Sequence, residues 1–249
     1  MDQSHRLLSR FRNARLGVGI WIIGTLLVMG TTTGVVIASS KPIPLTTNPA
    51  YAAHPIPEGS TPHPGTSDSI CGLVGIEHTN TLTTPPQTLW EGVGIVTYPY
   101  SSTYGPGAIS GSGFPYCFHH SPQGAVFAAA AHLAQSTKED PTDAWLDYFI
   151  ASGLHREATL VNGAIMNLTN AYSNMKVAGF TIESYDAERA EIDLAIQAIT
   201  DTDSHTTKLV MSFDLVWQSG DWKLRVSSPS HPVEVVRTTH FNDYILWEN

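Results

Sequence analysis

Eleven histidines are the first residues that could do chemistry here, as metal ligands or acid–base groups. His119 and His120 are adjacent, so on a helix or strand their rings point apart and cannot chelate one ion. No His-Glu-x-x-His occurs, and His132 and His155 lack a partner at ligand spacing. Gly111-Ser112-Gly113 lies in a turn-rich stretch, without the strand-to-helix context that a nucleophile elbow requires. No glycine-rich loop runs into Lys-Ser/Thr, so a phosphate cradle is not expected. Asn167-Leu-Thr169 matches a glycosylation acceptor, but its helical setting argues against that use. The expectation is no catalytic residue, no metal ligand and no cofactor.

The two cysteines, Cys71 and Cys117, are too few for a four-thiolate zinc site. Both come after an apolar span that exports the chain beyond it, and exported pairs usually oxidise. A Cys71–Cys117 disulfide is therefore expected, with two separately buried thiols as the alternative.

That span is Leu16 to Ser40, which contains no charged residue. About 20 such residues match the hydrocarbon thickness of a bilayer. Arg6, Arg10, Arg12 and Arg15 precede it against a single Asp2, which places the N-terminus in the cytoplasm. A cleaved signal peptide is the competing reading, with Val36-Ile-Ala38 as the better-placed site, but the run exceeds the usual signal core. The expected organisation is a basic cytoplasmic tail (1–15), a transmembrane helix (16–40) and a Pro-rich extracytoplasmic linker (41–69). Beyond these come an irregular segment with the cysteine pair (70–120) and an α+β domain (121–249). Gly30-Thr-Thr-Thr-Gly34 fits the small-xxx-small packing pattern and raises self-association as an expectation. Residues 41–249 hold 9 basic and 21 acidic side chains. So acidic a surface has no footprint for nucleic-acid phosphates.

Ser121-Pro122 opens a helix with Val126, Phe127, Ala130, Leu133 and Ala134 at helical spacing. Asp140-Pro141-Thr-Asp143 opens a second helix that buries Trp145, Leu146, Phe149 and Ile150. A third is expected from Arg156 to Lys176, with Val161, Ala164, Ile165, Leu168, Tyr172 and Met175 on one stripe. After Gly179 the period becomes two. Ala190 to Ala198 and Leu209 to Trp217 each alternate apolar and polar residues, and Ser219-Gly220 is a two-residue hairpin connection. Trp222, Leu224 and Val226 then point inward, with Lys223 and Arg225 outward. Between residues 70 and 120 only Val93, Ile95 and Thr97 alternate like a strand. The fold class expected is α+β: three helices packed on a curved antiparallel sheet.

This order, ending in Val216-Trp-Gln-Ser-Gly-Asp-Trp-Lys-Leu224, resembles the cone-shaped roll of the ketosteroid-isomerase and nuclear-transport-factor-like superfamily. The resemblance implies either a scaffold or an enzyme with an acid and a hydrogen-bond donor inside the cone. Asp214 and Tyr172 are the pair it would nominate, although alternation places Asp214 on the outer face and Tyr172 belongs to a core stripe. A second set of stretches is Cys71-Gly-Leu73, Trp90-Glu-Gly-Val-Gly94, Gly105-Pro106, Gly113-Phe114, Ser121-Pro-Gln-Gly-Ala-Val-Phe-Ala-Ala-Ala130 and Trp247. Together with the topology, these resemble the bitopic scaffold component of type IV secretion and conjugation systems, in particular actinobacterial conjugative-element proteins. Pro115 to His120 departs from that group, which has a shorter segment with a His-Ser/Thr-Pro step. The resemblance implies a structural part of a transfer channel whose partners are other channel subunits. The alternative is an exported small-molecule-binding or isomerase-like roll.

Overall fold

The computed structural model describes residues 69–138, 143–163, 166, 168–202 and 204–247. The chain divides into Met1–Thr46 and Thr47–Asn249, and every described residue belongs to the second unit. The expected span at 16–40 and most of the linker lie outside the described residues. Among the described residues no helix is long and apolar enough to cross a membrane.

The first elements are β1 (Leu89–Val93), β2 (Val96–Tyr100), β3 (Ala108–Ile109) and β4 (Pro115–Tyr116). Three helices come next, α1 (Pro122–Ser136), α2 (Asp143–Phe149) and α3 (Arg156–Asn162). Then come three long strands, β5 (Tyr172–Tyr185), β6 (Arg189–Thr200) and β7 (Thr206–Gln218), and the short β8 (Asp221–Leu224), β9 (Glu234–Thr238) and β10 (Ile245–Leu246). The fold is mixed α+β, a curled and mostly antiparallel sheet with three helices. The main sheet runs β1-β2-β5-β6-β7-β8, with β10 also on β5 and β9 also on β7. Among the strand pairs of the described residues only β2–β5 is parallel.

The α1 helix is the axis of the core. Ser121 caps it by accepting from the Gly124 amide at 3.1 Å, and Pro122 opens the first turn, as the sequence predicts. Nearly every residue of α1 is buried, the expected state of a helix that is apolar all round. Ala128 to Ala131 let it lie close across the sheet, and Phe127 and Leu133 fill the remaining space beside Phe180, Leu194 and Phe213.

The alternation expected in β6 and β7 holds. Ala190, Ile192, Leu194, Ile196 and Ala198 are buried on one strand, and Leu209, Met211, Phe213 and Leu215 on the other. Trp217, the last of that series, is only half-buried. Ser219 and Gly220 connect β7 to β8 with φ of 57° and 77°, the paired left-handed geometry of a two-residue hairpin turn.

Three sequence expectations are corrected. The third helix stops at Asn162, where Gly163 takes a left-handed cap at φ 68°, and Tyr172 and Met175 belong to β5. Bulges in β5 between Tyr172 and Asn174 and between Val177 and Gly179 space the buried residues Tyr172, Met175, Val177 and Phe180 by three, two and three. An interrupted strand of that kind imitates a helical stripe. Val161, expected on the stripe, is 86% exposed, and Ala164 and Ile165 lie outside the described residues.

The second correction concerns residues 70–120, which form more than an irregular cover. They supply the β1–β2 hairpin, and β2 joins the main sheet through Val96↔Met175 and Thr97↔Lys176. Val93 and Ile95 do not share a strand, because the turn at Gly94-Ile95 separates them. Gly94 has φ +56°, and a Cβ there would stand 2.5 Å from the Thr137 hydroxyl at the end of α1. That close approach is what glycine permits.

The third correction is Lys223. It does not face out, because β8 is covered on both faces and all four of its residues are buried.

The C-terminal segment docks as expected. Trp247 is buried against Phe180, Phe127 and the edge of Trp90.

Candidate functional site

The most chemically loaded place in the molecule is built from Gly220-Asp-Trp-Lys-Leu224, the stretch that carries the roll resemblance. In the two-residue turn, Gly220 lies against Ile70, whose amide donates to the Gly220 carbonyl at 2.8 Å. Asp221 is next in the chain and fully buried. One carboxylate oxygen accepts from the Cys117 amide at 2.7 Å and the Tyr148 hydroxyl at 2.5 Å. The other accepts from the Phe118 and Trp222 amides, both at 2.9 Å. Trp222 donates its indole N–H to the His119 carbonyl at 3.1 Å. Lys223 donates to the Tyr148 carbonyl at 2.7 Å, with its ammonium 3.0 Å from the centre of the Tyr148 ring.

The three polar groups perturb one another. Burial pushes the Asp221 carboxyl up, against the pull of Tyr148, Lys223 and the two amides of Phe118 and Cys117. All four hydrogen-bond partners of the carboxylate donate, a set that suits the ionised form. Burial pushes Lys223 down to about 8, with Asp221 opposing. Burial and the neighbouring Asp221 charge push the Tyr148 hydroxyl up, and the Tyr116 hydroxyl likewise. Perturbed groups of this kind mark functional sites and structural networks alike. Here both oxygens of Asp221 are already fully engaged, so the geometry is that of a clamp. It ties β8 to α2 through Tyr148 and to the Cys117–His119 segment through backbone amides.

The disulfide closes the same region. Cys71 and Cys117 are bonded, with Cα atoms 5.9 Å apart and 46 residues between them in sequence, as the residue types and topology lead one to expect. Disulfides persist in oxidising, extracytoplasmic compartments and are rare in the cytosol, so this one is consistent with an exported domain.

The residues nominated from the sequence do not converge. Tyr172 pairs with Thr200 at one end of β6. Asp214 pairs with Glu191, nine residues along β6, about 30 Å away at strand rise. Asp214 lies on the outer face and is ion-paired to Arg225, whereas Tyr172 is buried. His119 and His120 bond to carbonyls of different segments, Val74 and Ala187. His132 is buried in α1, where its Nδ1 accepts from the Trp145 indole at 3.0 Å. Its proton is therefore on Nε2, which has no hydrogen-bond partner among the described residues. Burial pushes its pKa well down. Ser112 lies in the β3–β4 turn, and His155 precedes α3 without a side-chain capping bond. Among the described residues no three His, Cys, Asp or Glu side chains converge as ligands.

Asp221 and Lys223 were not legible as a site. Lys223 alternates with apolar residues like any outward-facing lysine. The one available signal was Gly-Asp directly after a hairpin turn, which reads equally well as turn chemistry.

A second feature is an open cleft of about 670 Å³ at the other side of that hairpin, lined by Ile76, His120, Arg189, Trp217, Gln218 and Arg225 among others. The His120 ring stacks on Trp217 with centroids 3.8 Å apart. The sheet also ends in exposed apolar residues. Leu89 and Trp90 protrude from β1, and Val235 and Val236 from β9, the latter two 41% and 48% exposed.

No curated protein and no solved structure matches the chain. Residues 52–246 match the family described as domain of unknown function DUF8175, a stretch that takes in the sheet, the helices, the disulfide and the clamp. The chain belongs to the DUF8175 family.

Proposed function

We propose that this protein is a membrane-anchored structural component of a conjugative type IV secretion channel. In this reading residues 16–40 hold it in the membrane and the domain beyond them, a cone-shaped roll, contacts neighbouring channel subunits. The observation that carries the reading is how the domain divides its apolar surface. Phe213, Leu194 and Phe180 of the sheet and Phe127 of α1 are fully buried in one core. Apolar side chains stand exposed instead at the sheet's margins, on β1, β9 and β10. The outer edge of β9 pairs with no strand among the described residues. Unpaired edges and exposed apolar side chains are the materials of protein–protein contact. The disulfide and the acidic exterior support an exported location, and the sequence resemblance supports the choice of machine.

An in-frame deletion in the host element tests it. DNA transfer is expected to fall by orders of magnitude and to return with the intact gene. Transfer and complex assembly that survive the deletion would contradict the proposal.

A second reading, an exported small-molecule-binding or isomerase-like roll, draws on the perturbed Asp221, Tyr148 and Lys223. It needs a carboxylate oxygen open to a ligand, whereas both oxygens of Asp221 are occupied by protein donors. The assembly reading is therefore preferred.

A further inference from the structure

We propose that the pocket at the open end of the β1–β2 hairpin binds an uncharged saccharide. It lies between the stretch that enters β1 and the turn that leaves β2, which are neighbours because Leu89 pairs with Tyr100. Gln123, in the first turn of α1, also lines it. Its volume of about 640 Å³ falls within the range of small-ligand sites.

Three observations carry this. The first is the lining. None of the twelve described residues around the pocket is charged, and eight of them carry a hydroxyl or a carboxamide. The cleft beside the β7–β8 hairpin, by contrast, includes Glu188, Arg189 and Arg225. A neutral wall offers no counter-charge to a phosphate, a carboxylate or an ammonium group. Hydroxyls and carboxamides both donate and accept, which suits a saccharide because each of its hydroxyls does the same. A peptide backbone, whose N–H only donates and whose carbonyl only accepts, asks instead for a ladder of main-chain groups.

The second is that these groups are uncommitted. Thr84, Gln87, Ser102 and Thr103 are exposed, and none of their side chains makes a hydrogen bond to another described residue; the bond of the 101–104 turn comes from the Thr103 amide, not its hydroxyl.

The third is that both walls are already ordered. Pro85 and Pro86 have fixed φ, and the Pro86 carbonyl accepts from the Trp247 indole at 3.3 Å and the Thr88 hydroxyl at 2.7 Å. Opposite them, the Ser101 hydroxyl accepts from the Thr103 and Tyr104 amides at 3.2 and 3.4 Å. The Tyr104 ring rests against Phe127 and His119, with centroids 6.3 and 5.7 Å away. Walls fixed in advance lose little conformational entropy on binding. Leu82, Leu89 and the two prolines supply apolar surface on which the C–H face of a sugar ring can lie.

Isothermal titration of the full chain, kept in phosphocholine micelles, with neutral trisaccharides of glucose, mannose and N-acetylglucosamine tests the site. At least one is expected to bind at about 1 mM or tighter and to shift the resonance of the Trp247 indole N–H, which is bonded to Pro86. Gln87→Ala and Thr103→Ala, both at exposed positions, should each weaken that binding about two- to tenfold. Sedimentation with host cell envelope freed of protein and lipid identifies the source. A polymeric glycan carries the chain into the pellet until the trisaccharide competes it off, and a free sugar leaves it in solution. Binding of none of the three trisaccharides would overturn the proposal, and so would binding that both substitutions leave unchanged. A preference for an uncharged Gly-Ser peptide over all three would overturn it as well and assign the pocket to a protein segment.

Discussion

If Asp221 is a clamp, replacing it with asparagine should cost stability by an amount the geometry fixes. The carboxylate receives four donors. An asparagine side chain offers one oxygen, and its amide nitrogen must face either the pair from Cys117 and Tyr148 or the pair from Phe118 and Trp222. Whichever way it turns, a buried backbone amide is left against another donor. A buried donor left without a partner costs about 1–3 kcal/mol, and loss of a hydrogen bond to a charged group about 1.5–3 kcal/mol. Relief of the buried charge offsets part of this, so Asp221→Asn should destabilise by roughly 2–4 kcal/mol. Tyr148→Phe removes a single donor to the same oxygen and should cost about 1.5–3 kcal/mol. The double variant should fall short of the sum, because both changes act on one network. Urea unfolding with the disulfide intact measures all three. An Asp221→Asn protein within about 0.5 kcal/mol of wild type would refute the clamp and return the carboxylate to consideration as a working group.

Other consequences are open to the same kind of measurement. Replacing Cys71 and Cys117 together by serine opens a closure of 46 residues and should cost about 4 kcal/mol in the chain-entropy model, read as a lower urea midpoint. His132 stays neutral in the folded state because burial holds its pKa well below 6.5, while the unfolded chain binds a proton there. The His132 contribution to stability should therefore be constant above about pH 6.5 and fall below it, at up to about 1.4 kcal/mol per pH unit. His132→Gln should flatten that slope, and an unchanged slope would exclude His132 as its source. Gly94→Ala forces a side chain to φ +56° and against the Thr137 backbone, 2.6 Å away. It should cost about 2–4 kcal/mol, whereas alanine at Gly111, which meets nothing within 4 Å, serves as the control.

The strands of the sheet were legible wherever alternation ran uninterrupted. β6 and β7 alternate buried with more exposed residues over nearly their whole length, Ala195 being the exception, so a period of two is written in their residue types. The first helix was legible because Ser121-Pro122 is a start signal and the apolar positions after it have one period. β5 was not, because its bulges at Tyr172/Asn174 and Val177/Gly179 each shift the inward face by one residue and leave spacings of three. The β1–β2 hairpin was hidden for a related reason. Gly92, Gly94 and Pro99 dilute its strand signal, and its turn falls in the middle of the only piece whose residue types alternate. The disulfide could be read from compartment and cysteine number alone. The clamp could not, because burial of Asp221 and Lys223 comes from α2 and the Cys117 segment, which are distant in sequence. A charged residue reveals nothing of such cover through its own neighbours.

The central claim is that the exposed margins of the sheet are contact surfaces in an assembly. It is tested most directly by a photo-reactive side chain placed at Val236 of β9 in cells that carry the complete conjugative element. The claim predicts a covalent adduct with another subunit of the channel, lost when that subunit is deleted, while the same probe at Ser184, an exposed position near the end of β5, gives none. Transfer-competent cells in which Val236 and Trp90 probes remain uncoupled to any protein would contradict it.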